Sequence, residues 1–246
     1  MDDTTGCVVY ANNLDFRNFP ILPELHKLLD IAEMHIENDA NAAAWGEAIA
    51  GAAKGSKSSV MITLGTGVGG GIVDGGKVYK GFNNAAGELG HIVIRVDGRP
   101  CTCGRHGCWE AYSSATGLIN MTKEKIEECK QTGRETVMTR LVAEKGKVNG
   151  RTAFDGKRLG DAAACEVVDE YIKYLASGIA SMINIFQPEV LSIGGGISNE
   201  GQYLLDLVIP KVHEQQYGTG LVPMTDIRIA QLRNDAGIIG AAVLGM

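Results

Sequence analysis

Three of the chain's six cysteines fall within eight residues, in the stretch CTCGRHGCWE at 101–110. One disulfide cannot satisfy three thiols, and Cys101 and Cys103 stand too close in sequence to pair comfortably. Soft thiolates at this spacing suit a tetrahedral zinc, which needs a fourth ligand from elsewhere. Two histidines are candidates. His106 lies inside the loop, where chelation is cramped, and His91 lies one strand-length earlier, where it could close the site across a hairpin. Three thiolates and one imidazole leave no open position, so such a zinc is structural and not a Lewis acid.

Four further stretches could carry chemistry. ENDAN, at 37–41, puts Asn38 and Asp39 where a strand gives way to a helix. Such residues commonly cap the helix, but a carboxylate there can also act as a base aimed into the crevice where α/β folds bind ligands. GELGH, at 87–91, offers Glu88 and His91 on a glycine-rich loop. LGTGVGGGI at 64–72 and IGGGIS at 193–198 are glycine turns whose main-chain N–H groups can approach an anion closely, with Thr66 adding a hydroxyl. Taken singly, each reads equally as a tight connection. Neither ends in the Gly-Lys-Ser/Thr of a Walker A loop.

The elements that must position these residues alternate. A strand-like CVVYA opens the chain, followed by a helical pattern in ILPELHKLLDIA and a short strand in MHIEN. An alanine-rich helix follows from 39, capped by Asn38 or Asp39 and stopped at Gly55. The segment 58–81 reads as an antiparallel meander with a two-residue Gly-Gly turn, and HIVIRV as one more strand leading into the cysteine loop. Helices are expected at 114–132 and 136–145, ended by Gly133 and Gly146, and a long one runs to Phe186 before Pro188. Strand EVLSIG, helix EGQYLLDLVIPKV, strand DIRIAQL and a small-residue helix close the chain. Strands and helices alternate in both halves, which predicts an α/β fold. A net charge of −6 argues against nucleic acid and anionic membrane as partners. No apolar run spans a bilayer, and the scattered Cys7, Cys129 and Cys165 suit a reduced cytoplasmic protein.

Four motifs in one order, ENDANAA, LGTGVGGGI, GELGHIVI and CTCGRHGCWE, resemble the sugar kinases of the ROK family (repressors, open reading frames, kinases), specifically its bacterial glucokinases. IGGGIS and LRNDAGIIGAA fit the same pattern, so the likeness runs from about Ala11 to the C-terminus. The resemblance implies an actin/hexokinase-like (ribonuclease H-like) α/β fold of two domains. Residues 1–38 would be a remnant of the small N-terminal domain, 39–233 the large sugar- and zinc-binding domain, and 234–246 a helix returning to the small one. It implies ATP-dependent phosphorylation of a hexose, such as glucose to glucose 6-phosphate, with Asp39 as general base. Asn38, Glu88, His91 and Glu110 would bind the sugar, and His91, Cys101, Cys103 and Cys108 a structural zinc. Thr66 and Gly67 would hold phosphate, and Gly194, Gly195 and Gly196 the adenosine of Mg-ATP. The assembly implied is a dimer or tetramer. A sugar-sensing regulator of the same family is the alternative, but those carry a winged-helix domain ahead of the sugar domain, and this sequence contains none.

One departure bears on activity. The family's Asp-x-Gly-x-Thr phosphate loop, whose Asp engages the Mg-nucleotide, occurs nowhere in this sequence. The small domain is therefore expected to be incomplete, and the chain to be a glucokinase fragment or a weakly active sugar binder. Phosphoryl transfer depends on positioning and charge neutralisation. A coupled assay with glucose and Mg-ATP is expected to find this 246-residue chain slower, by about tenfold or more, than a version carrying that loop. Equal turnover would mean the loop is dispensable.

Overall fold

A computed structural model describes residues 1–2, 4–10 and 15–245. Strands β1 (Val8–Tyr10) and β2 (Arg17–Phe19) pair antiparallel and are followed by helix α1 (Ile21–His26). Helix α2 (Asp39–Ala50) then leads into β3 (Ser58–Leu64), β4 (Val68–Asp74) and β5 (Lys77–Val78). Helices α3 (Glu110–Ser113), α4 (Ala115–Thr132), α5 (Val137–Lys145), α6 (Thr152–Arg158) and α7 (Ala162–Phe186) come next. The chain ends with β6 (Val190–Gly194), α8 (Gln202–His213), β7 (Asp226–Ile229) and α9 (Ala236–Ala242).

The main sheet has the order β5-β4-β3-β6-β7. β3, β4 and β5 form the expected antiparallel meander, and β6 and β7 add in parallel on the other side of β3. The β4–β5 turn is Gly75-Gly76 with φ of 55° and 75°, a left-handed pair that glycine adopts without strain. This mixed sheet, with helices packed on it, is the actin/hexokinase-like α/β arrangement.

Helix α7 is the spine. Val168, Tyr171, Ile172, Leu175, Ile179 and Ile183 recur at helical spacing and are buried in one cluster with β3 and β6 residues Val60, Ile62, Leu191 and Ile193. Asp161 caps its start by accepting the Ala164 N–H at 2.7 Å. Its side also holds the cysteine loop. Trp109 is fully buried, donating from Nε1 to the Tyr174 carbonyl at 3.1 Å, and Tyr171 donates from its hydroxyl to the Ser113 carbonyl at 2.8 Å.

Two of the expected strands are corrected. HIVIRV is not a strand: a 3-10 turn occupies Leu89–His91, and only Val93 makes an isolated bridge, to Cys108. Its alternating β-branched residues read as a strand, yet the pairing stops at that one bridge, where the Ile92 carbonyl accepts the Trp109 N–H at 2.8 Å and the Ile94 N–H donates to the Gly107 carbonyl at 3.0 Å, while both side chains pack on the main core. MHIEN is coil. Helices α3 and α6 were unread, being four and seven residues long.

Gly178 lets the Trp109 ring lie directly on α7, since a Cβ there would collide with the indole. Alanine normally favours a helix by about 1 kcal/mol, but overpacking a buried ring costs about 1–3 kcal/mol. Gly178→Ala is therefore expected to lower the melting temperature by several degrees and to change Trp fluorescence. An unchanged or raised melting temperature would show that the ring shifts freely.

Candidate functional site

The site begins at the first residues of β4, where three segments meet. The first is the start of α2. Asn38 is its N-cap, and Oδ1 accepts the N–H groups of Ala40 at 2.9 Å and Asn41 at 3.2 Å. That use leaves its amide NH₂ as the group free for a ligand. Asp39 is the first helical residue and is exposed, with Oδ1 accepting its neighbour's N–H at 2.9 Å. Gly69 and Gly71 of β4 let this helix lie close: a Cβ on Gly71 would sit 2.9 Å from the Ala40 carbonyl oxygen. The glycine string of the sequence thus divides, with Gly65 and Gly67 in the turn, Gly69 and Gly71 under α2, and Gly70 on the other face against Leu89.

The second segment is 87–91. Glu88 is exposed, and its carbonyl accepts the His91 N–H at 3.0 Å, closing the 3-10 turn. Gly90 sits against the Val68 carbonyl so closely that no side chain fits. His91 Nδ1 lies 3.7 Å from Cys101 Sγ, which leaves Nε2 for another partner.

The third segment is the cysteine loop. Ligand atoms of His91, Cys101, Cys103 and Cys108 all lie within 4.8 Å of one another. His106 stays outside, exposed, in a main-chain bridge with Pro100. A tetrahedral zinc with bonds of about 2.3 Å to sulfur and 2.0 Å to nitrogen sets ligand separations of about 3.8 Å (S···S) and 3.6 Å (S···N). Cys103 and Cys108 sulfurs stand 3.6 Å apart, and the Cys101–His91 pair 3.7 Å, so these residues fit a zinc. The Arg105 main-chain N–H lowers the Cys103 thiol to about 6, whereas burial pushes Cys108 up to about 12 and raises Cys101. Unaided, the cluster stabilises one thiolate; a bound dication is what would let all three ionise.

Glu110 joins these parts. Its Oε2 accepts the Val68 N–H at 3.0 Å, and its Oε1 accepts the Thr102 hydroxyl at 3.3 Å and lies 3.7 Å from Cys101 Sγ. A Cβ on Gly67 would collide with Oε2.

The two glycine turns share one edge of the sheet. Thr63 pairs with Gly194 across the parallel β3–β6 ladder, so both strands end together. Gly195, with φ of 83°, packs on the Leu64 main chain, where a Cβ would come within 2.6 Å. Thr66 is exposed, its carbonyl accepting the Thr116 hydroxyl at 2.8 Å, and Gly196 is exposed beside Gly195. Ligands of α/β sheets bind at this carboxyl edge.

Two site residues escaped the sequence reading. Glu37 has a side chain only 6% exposed; it accepts the Asn38 N–H at 2.9 Å and the Asn41 side-chain amide at 3.1 Å, and pairs with Lys80 at 2.9 Å. Lys80 is distant in sequence, so nothing local marked the pair.

A mixed sheet of this order, with helices packed on it and a polar cluster at its carboxyl edge, is of the actin/hexokinase-like fold. Residues 1–246 match the ROK family. A glucokinase of Halalkalibacterium halodurans is 40% identical over 242 residues, which is 98% of this chain and 71% of that protein. The crystal structure of a ROK family glucokinase from Streptomyces griseus, in complex with glucose and AMPPNP, superposes with a TM-score of 0.85 at 33% identity, covering 99% of this chain and 78% of that one. The ROK hexokinase of Thermus thermophilus gives 0.79 at 31% identity, over 99% and 74%. The chain belongs to the ROK family.

The cluster predicts about one zinc per chain in protein purified without added metal. Elemental analysis is expected to find it lost in Cys108→Ser and His91→Ala and kept in His106→Ala. The reverse pattern for the two histidines would overturn the ligand set.

Proposed function

We propose that this chain binds a hexose, with glucose the first candidate, and directs its 6-hydroxyl toward the terminal phosphate of ATP. One observation carries the reading: the α2 start with Asp39, the His91 turn and Glu110 all converge on the first residues of β4, beside the two glycine turns. Its relatives at 35–40% identity are glucokinases, which favours a kinase over a sugar-sensing regulator.

A sugar hydroxyl is a weak nucleophile near neutral pH and needs an acceptor for its proton within hydrogen-bond reach. Asp39 is exposed and spends Oδ1 on a main-chain N–H, so Oδ2 is the atom assigned to receive that proton. The Asn38 NH₂, Glu88, His91 Nε2 and Glu110 are assigned to the remaining hydroxyls. Thr66 and Gly67 are assigned to phosphate, and the Gly194–Gly196 turn to adenosine. Zinc, when bound, supplies a crosslink that fixes the His91 ring and the loop ahead of Glu110. Mg²⁺ arriving with ATP supplies charge neutralisation on the phosphates. Residues 1–38 and 234–246 are assigned to a smaller lobe, and 39–233 to a larger one.

Asp39→Asn tests the base in a version of the chain that carries the Asp-x-Gly-x-Thr loop. The amide keeps a hydrogen bond but cannot take the proton, so kcat is expected to fall by about 10²–10⁴ while the glucose Kd stays within about threefold. Retention of more than about a few per cent of kcat would assign the proton elsewhere.

A further inference from the structure

Glu47 is a fully buried acid that no step above uses. Its Oε2 accepts the N–H groups of Ala52 at 2.6 Å and Gln231 at 3.1 Å, and its Oε1 accepts that of Leu232 at 2.7 Å. Two of these donors are distant in sequence, at the turn where the chain leaves β7 and enters α9. Only a side chain with two oxygens and no donor can meet three converging N–H groups. The carboxylate has no spare room, since a Cβ on Gly51 would collide with Oε2.

The turn it grips is not one the backbone prefers. Arg233, directly after Leu232, has φ of 52°, in the left-handed region that a side chain disfavours. Beyond it, α9 lies on α2 with nothing between them: a Cβ on Gly46 would collide with the Ala236 carbonyl, and one on Gly240 with the Ala42 carbonyl. Trp45 adds a bond from Nε1 to the Val243 carbonyl at 3.2 Å. Glu47 is thus one of the few polar ties in an otherwise close-packed, small-residue contact.

We infer that Glu47 is a positioning residue: it clamps α2 to the 231–232 turn, so that α2 and α9 form one rigid unit and Asp39, at the other end of α2, keeps a fixed direction. Asp39 lies about 12 Å along the helix axis from Glu47. A tilt of about 5° at the clamped end would swing the carboxylate by about 1 Å, and a displacement of that size can cost about 10² in rate. The kinetic consequence rests on the sugar-kinase reading, whereas the clamp itself does not.

Glu47→Gln keeps the volume but turns one acceptor oxygen into a donor that faces N–H groups. The full chain and the variant are compared by amide hydrogen exchange and zinc content, and the same pair in the version that carries the Asp-x-Gly-x-Thr loop by glucose kinetics. The 236–242 amides are expected to exchange about tenfold faster with zinc content and the β3 and β6 amides unchanged. In the kinetics, kcat should fall about 10- to 100-fold while the glucose KM moves less than about threefold. Gly51→Ala, which pushes the carboxylate off its donors without removing it, is expected to give the same pattern and serves if Glu47→Gln does not accumulate as folded protein. Exchange that is unchanged in α9, or that rises equally throughout the chain, would overturn the clamp. Failure of the loop-carrying version to phosphorylate glucose, with Glu47 in place, would overturn the kinase reading, and the exchange comparison would still decide the clamp.

Discussion

The Glu110 carboxylate, held between the Val68 N–H and the Thr102 hydroxyl, is the contact on which the arrangement of the site depends. It places the cysteine loop on the β3–β4 turn, so the groups assigned to the sugar and those assigned to phosphate share one side chain. The loop itself has little regular structure. Ordering its eight residues, 101–108, costs about 8–16 kcal/mol in backbone entropy. Main-chain bonds such as Cys101 N–H to the Arg105 carbonyl return only about 1 kcal/mol each. A structural zinc, worth about 10–16 kcal/mol in small domains, is of the size needed to close that gap.

The fold brings the remaining parts to the same place by strand pairing. Because β3 and β6 run parallel and in register, their two glycine turns end side by side. Because β4 runs back from β3, its first residues lie at that edge too, under the α2 start and beside the His91 turn. The helix α7 fixes the other flank, with Trp109 and Tyr171 fastening the residues on either side of Glu110. Rigidity at the edge therefore comes from the core behind it, through a few specific hydrogen bonds.

Much of this could be read in the amino-acid sequence. The meander, its Gly75-Gly76 turn and the later strand–helix alternation follow from period and turn chemistry, which are local signals. The cysteine cluster is local as well, but the choice of His91 over His106 depends on the 3-10 turn bringing Nδ1 toward Cys101, which spacing alone left open. HIVIRV misled because its β-branched alternation is that of a strand, whereas its burial comes from packing on the core. Asn38 carries both readings at once: its oxygen caps α2, and only its NH₂ remains for a ligand. Glu47 and the Glu37–Lys80 pair were invisible because their meaning lies in partners far along the chain.

The central claim is that a zinc in the cysteine loop would hold in place the groups assigned to the sugar. The most direct test is a calorimetric glucose titration of the chain as purified, after zinc removal by a chelator, and after zinc is restored. The account predicts that removal weakens glucose binding by about tenfold or more and that restored zinc recovers it. Glucose affinity that is indifferent to zinc would contradict it.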